Sequence, residues 1–220
     1  MVIRIMNSIK VLSVLVVVSI ALGAGLILFT NNAEASDDIN VCVTFPWQKE
    51  MLQWIGGDNI RVTQLVGPGA DPHSGEGTIS DLIAASKSIA YFYIGSNMEW
   101  EVTNLPLLQS SFPNMAFVNV SEGLTLLATA DGHHDDDDDH EGDHSHGPID
   151  PHVWTSPSNL LVMAENVKNA LVELDPDNTS TYESGYESYI GRVNEIKSLA
   201  DELFEDKGGN KFLVWHSAWQ

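Results

Sequence analysis

The tripeptide Asp-Pro-His occurs twice, as Asp71-Pro72-His73 and Asp150-Pro151-His152, and a further histidine, His216, follows the strand-like run Lys211–Trp215. Imidazole nitrogens are good ligands for transition metals, and three of them plus one oxygen suit tetrahedral Zn²⁺, with Zn–N near ~2.0–2.1 Å. Each tripeptide follows a loop-like stretch and precedes a predicted helix, while His216 ends a predicted strand. In an open α/β sheet, positions just beyond the carboxyl ends of strands line the ligand crevice. A lone histidine is more often an ordinary surface or core residue. Three in like positions, two within the same tripeptide, leave a metal site and the ordinary reading equally supported by the residues alone. Asp71 and Asp150 have two readings as well: acceptors that orient the neighbouring imidazoles, or turn-forming acids before proline.

The other five histidines, His133, His134, His140, His144 and His146, share one acidic stretch, residues 131–147. Nothing there can bury apolar surface, so a flexible loop is predicted. Its imidazoles and carboxylates, without fixed geometry, can hold Zn²⁺ weakly as auxiliary ligands that feed the main site; the alternative is a solvated acidic linker. His140-Glu141-Gly142-Asp143-His144 matches the H-E-x-x-H form of zinc proteases. That chemistry needs both histidines on one face of a stable helix. Gly142, Gly147, Pro148 and five consecutive aspartates argue against a helix, so no enzyme and no catalytic residue is predicted from this match.

Charge points the same way. The 220-residue chain carries 31 acids against 10 Lys and Arg, for a formal charge of −21. Such a field repels nucleic acid and anionic lipid and suits a cationic ligand, although an acidic surface also serves solubility. The single cysteine, Cys42, excludes an intrachain disulfide and a thiolate metal cluster, and its place in Ile39–Val43 reads as core. Arg4 and Lys10 precede 19 uncharged residues, Val11–Phe29, and then Ala33-Glu34-Ala35, the form of a signal-peptidase site. The run is also close to the ~20 residues that span a bilayer. Residues 1–35 are therefore predicted as a signal peptide or an N-terminal membrane anchor, with the rest exported to the periplasm or cell surface. With no cysteine just after the run, a lipid anchor at that point is not expected.

These residues must be positioned by regular elements. Strands are predicted over Ile39–Phe45, Ile60–Val66, Ile89–Ile94, Met115–Val120 and Lys211–Trp215, and helices over Lys49–Ile55, Thr78–Ser86, Ser158–Leu174 and Thr181–Phe204. Strands alternating with helices predict an α/β fold with a parallel sheet. Six scattered tryptophans, Trp47, Trp54, Trp100, Trp154, Trp215 and Trp219, form no stripe for stacking bases and read as core or cleft walls.

Leu65–Ser74 with Ser80-Asp81-Leu82 resembles the first ligand motif of the zinc/manganese solute-binding proteins of ABC importers, the ZnuA/TroA type. Tyr91–Trp100, with Gly95 and Glu99-Trp100, is similar to the next segment of that family. Asp150–Trp154 and Phe212–Trp219 resemble the second and third ligand motifs, in the family's order, and the acidic His-rich insertion is similar to that of zinc-type members. Gly75 and Gly77 depart from the bulkier residues or proline usual there. The resemblance implies His73, His152 and His216 as ligands, with a water or an acid such as Asp71 or Glu76 as the fourth. It implies Zn²⁺ over Mn²⁺, because manganese-type relatives place a carboxylate at the third position and Mn²⁺ prefers oxygen. It implies a two-lobed fold with parallel sheets joined by a long helix: residues 36–175 as the N-terminal lobe, 176–209 as the linker helix, and 210–220 as the start of a C-terminal lobe. The function implied is capture of metal outside the membrane by a monomer and delivery to an ABC permease, without turnover. Acidification below about pH 6 is expected to weaken binding as protons compete for imidazole. A surface metal buffer or adhesin and a secreted zinc hydrolase are the rival readings.

Overall fold

The computed structural model describes residues 38–67, 69, 73, 78–128, 149–209, 211, 213, 214 and 218. The segment expected to direct export, the five loop histidines and His216 lie outside the described residues. Among the described residues no helix is long and apolar enough to cross a membrane.

Four strands, β1 (Ile39–Val43), β2 (Ile60–Gln64), β3 (Ala90–Tyr93) and β4 (Ala116–Asn119), pair in the order β2-β1-β3-β4, every pair parallel. This is the α/β fold expected. The central strands are the apolar runs: Val41, Cys42 and Val43 in β1 and Ala90, Tyr91 and Phe92 in β3 are all fully buried. A parallel strand buried on both faces reads as a continuous apolar run rather than an alternation. Cys42 is part of this core. Burial pushes its thiol up to about 12, so at neutral pH it is neither a nucleophile nor a thiolate ligand.

The helices α1 (Pro46–Gly56), α2 (Ile79–Ala85), α3 (Glu99–Ser111), α4 (Pro157–Leu174) and α5 (Thr179–Phe204) complete the fold. α1 begins three residues before the predicted start at Lys49. Pro46 opens the helix rather than closing the strand, since a missing N–H costs nothing in the first turn. Buried Gln48 secures that turn: its Oε1 accepts the Phe45 N–H at 2.9 Å and its Nε2 donates to the Phe92 carbonyl at 3.0 Å. Thr78 caps α2, its hydroxyl accepting the Asp81 N–H while Asp81 accepts the Thr78 N–H. Helix α4 buries Met163, Val167 and Leu171, spaced by one turn, together with Ala164. The long α5 packs on α4 and α1, and the Tyr182 hydroxyl donates to Asp175 Oδ2 at 2.5 Å where α4 hands over to α5.

Two sequence expectations need correction. Helix α3 went unpredicted, because its thirteen residues carry Pro106 inside and do not sort into one apolar and one polar face. The strand expected over Lys211–Trp215 is not formed at its described residues Lys211, Leu213 and Val214. None of the four strands pairs with these three described residues, and Leu213 is 99% exposed; an unpaired strand has no ladder to hold it.

Candidate metal site

The order β2-β1-β3-β4 places a switch point between β1 and β3, where chain connections depart in opposite directions. In such sheets the crevice opens beyond the carboxyl ends of the strands. His73 lies in the connection from β2 to α2, Glu99 opens α3 after β3, and Asp150 and His152 lie between β4 and α4. All four therefore arise at that end of the sheet.

The rings of His73 and His152 stand 5.5 Å apart, centroid to centroid, with 62° between their planes. Both are sheltered, with side chains 8% and 5% exposed. Each has a carboxylate on Nδ1: Glu99 Oε2 lies 2.8 Å from His73 Nδ1, and Asp150 Oδ1 lies 2.7 Å from His152 Nδ1. A carboxylate only accepts, so it holds the proton on Nδ1 and makes Nε2 the unprotonated, ligand-type nitrogen of each ring. Two imidazoles sharing one tetrahedral Zn²⁺ would put their ring centres roughly 5 Å apart. The observed separation fits that arrangement.

His152 is fixed from several sides. Asp150 Oδ1 also accepts the His152 backbone N–H at 3.0 Å, closing the turn across Pro151. The two readings of Asp150 are thus both realised by one oxygen. The Ser96 hydroxyl donates to the Pro151 carbonyl at 2.6 Å. The His152 carbonyl accepts from the Thr155 amide and hydroxyl at 3.1 and 2.8 Å. Trp154 meets the His152 ring edge-on at 5.4 Å and stacks on Trp47 at 5.3 Å, so these two tryptophans do form a wall beside the site. An antiparallel bridge between Ala128 and Ile149, with the Asp150 N–H on the Leu127 carbonyl at 2.9 Å, clamps the chain just ahead of Asp150.

Among the described residues no three His, Cys, Asp or Glu side chains converge on one point. Two of the three expected histidines come together, and His216 lies outside the described residues, as do Asp71 and Glu76. Sequence reasoning did not assign Glu99 to His73. The residues stand 26 apart, and only an acid in the first turn of a helix following a strand could have hinted at it.

Residues 41–220 match the family model described as "Zinc-uptake complex component A periplasmic". The chain is 30% identical over 185 residues to the manganese ABC transporter substrate-binding lipoprotein scaA of Streptococcus gordonii, covering 82% of this chain and 56% of that one. It is 27% identical over 201 residues to the zinc-binding lipoprotein AdcA of Streptococcus pneumoniae, covering 88% of this chain and 38% of that one. The chain thus spans about half the length of the curated relatives it matches, or less. Among solved structures, a zinc-bound ZnuA deletion mutant superposes with a TM-score of 0.72 at 29% identity, covering 83% of this chain and 65% of that one. With nearly all of the described fold inside the matched residues, the chain belongs to this family of metal-binding substrate-binding proteins of ABC importers.

Proposed function

We propose that the chain captures Zn²⁺, in preference to Mn²⁺, outside the cytoplasmic membrane and passes it to an ABC importer. The observation that carries this reading is the pair of sheltered imidazoles, each with a carboxylate on Nδ1 and their rings 5.5 Å apart. Nitrogen donors favour zinc, whereas oxygen donors favour manganese; His216 as third ligand would strengthen the preference. The names of relatives divide between zinc, manganese and iron, so donor chemistry rather than kinship supports the choice. The five loop histidines are proposed as a weak collecting site. Export rests on the apolar amino terminus and on the periplasmic description of the family. The relatives are named lipoproteins, but Cys42 is locked in β1 and cannot carry a lipid in this fold.

Competitive titration against a chromophoric chelator tests the reading. Zinc is expected to bind at least about tenfold more tightly than manganese, in line with the ordering of divalent affinities at nitrogen sites. Equal affinity for the two, or a preference for manganese, would remove zinc from the proposal.

The carboxylate behind each imidazole has its own expected effect. Asp150→Asn keeps an oxygen for the backbone N–H but replaces the anion facing Nδ1 with a neutral amide. Zinc affinity should fall about 10- to 100-fold, the usual cost of losing such a partner, and Glu99→Gln should behave alike through His73. Unchanged affinity in both variants would mean that neither carboxylate supports a ligand.

A further inference from the structure

Glu101, in the first turn of α3, is 3% exposed, and its carboxylate has three donors. Oε1 accepts from the Thr44 hydroxyl at 2.5 Å and from the Ile94 N–H at 2.8 Å. Oε2 accepts from the Gly95 N–H at 3.0 Å. The Tyr91 hydroxyl stands 2.6 Å from Thr44 Oγ1, and with the single Thr44 hydrogen directed at Glu101 it is Tyr91 that donates to the Thr44 oxygen. None of these partners is a cation. Burying an acid on neutral donors alone is costly, and the cost is offset only by the three donors it satisfies and holds in place. Thr44 directly follows β1, and Ile94 and Gly95 directly follow β3. The carboxylate therefore straddles the switch point of the sheet, where the crevice opens.

Both half-sites hang from what it ties together. On one side, Glu99, two residues earlier in the same helical turn, holds the Nδ1 of His73. On the other, Gly95 precedes Ser96, whose hydroxyl holds the carbonyl of Pro151, the residue before His152. Gly95 itself sits at φ +78, and a Cβ there would lie 2.0 Å from Asn119 Oδ1, so this junction admits only glycine. We propose that Glu101 is a positioning residue that sets the separation of the His73 and His152 half-sites by pinning the start of α3 to the carboxyl ends of β1 and β3. The inference extends the metal-capture reading and rests on it for its consequence, although the positioning itself can be observed without metal.

Glu101→Gln is the discriminating variant. The amide can accept from Thr44 and Ile94 through its oxygen, but its NH₂ then faces the Gly95 N–H, donor against donor. In the metal-free protein, the imidazole resonances of both His73 and His152 should shift in Glu101→Gln. They should stay in place in Tyr182→Phe, which removes a hydrogen bond at the distant α4–α5 junction and serves as a control for lost stability. With Co²⁺ as probe, affinity should fall about tenfold, the lower range for an outer partner of a ligand, and the d–d absorption bands should change shape. Thr44→Val, which removes one donor without changing side-chain size, should shift the same resonances by less and decides the matter if Glu101→Gln does not fold. Histidine resonances unmoved in the folded variant overturn the positioning role. Failure of the unaltered chain to bind Co²⁺ would overturn the metal reading and leave the ring shifts to judge Glu101.

Discussion

His152→Ala is expected to weaken zinc binding by at least about 100-fold, close to 2.7 kcal/mol of binding free energy. The residue is held from several sides, with its ring on Asp150, its amide on the same oxygen and its carbonyl on Thr155. That rigidity means its Nε2 meets a ligand with little ordering cost, so its loss takes nearly the full value of the bond. Stability should also fall, by about 1–2 kcal/mol, because Asp150, only 9% exposed, would keep a carboxylate with one backbone N–H and no imidazole. The two losses are separable: thermal unfolding without metal reports the second, and chelator competition reports the first. Trp154, 5.4 Å from the ring, gives an independent signal, since zinc should alter tryptophan fluorescence in the unaltered chain and not in the variant. His73→Ala should match the loss of affinity. If either variant held zinc within about threefold of the unaltered chain, less than 1 kcal/mol, the crevice would not be the binding site. The acidic loop would then be the candidate, and the chain would be a surface metal buffer.

The parts of this fold that could be read in the sequence are those governed by short-range rules. Strands β1 and β3 announce themselves as apolar runs because both their faces are buried, and α4 does so through Met163, Val167 and Leu171. The repeated Asp-Pro-His, each time between a loop-like stretch and a predicted helix, pointed to His73 and His152, and at Asp150 the acid two residues before the histidine does reach its ring across the proline. What could not be read depends on distant partners. Helix α3 is held by Trp100, Leu108 and the buried Glu101, and a buried acid looks in sequence like an exposed one. The assignment of Glu99 to His73 follows from β3 lying two strands from β2 in the sheet. Nothing in the local pattern of either residue encodes that order.

The same dependence on distant partners makes the long helix sensitive at one glycine and tolerant at another, and substitutions at the two should have opposite signs. A Cβ at Gly185 would lie 2.2 Å from the Ile55 carbonyl oxygen and 2.8 Å from the Ile55 carbonyl carbon and Cα. These are backbone atoms of α1, so no side chain can swing aside, and α5 must lift off α1. Overpacking of this kind costs about 1–3 kcal/mol, and a contact with backbone belongs at the upper end. Alanine returns about 1 kcal/mol as the better helix former. Gly185→Ala is therefore expected to destabilise by about 2 kcal/mol, which for a domain of this size lowers the Tm by roughly 4–8 °C. Gly191, six residues on in the same helix, has nothing within 4 Å of its would-be Cβ. There only the propensity gain and the stiffer unfolded chain operate, so Gly191→Ala should raise stability by about 0.5–1 kcal/mol. Urea unfolding of the two variants side by side checks both signs. If Gly185→Ala were neutral, α5 would not rest on α1 at the distance described, and the contact joining the long helix to the sheet-bearing part would need to be redrawn. If Gly191→Ala were destabilising too, that face of α5 would be covered by something other than solvent.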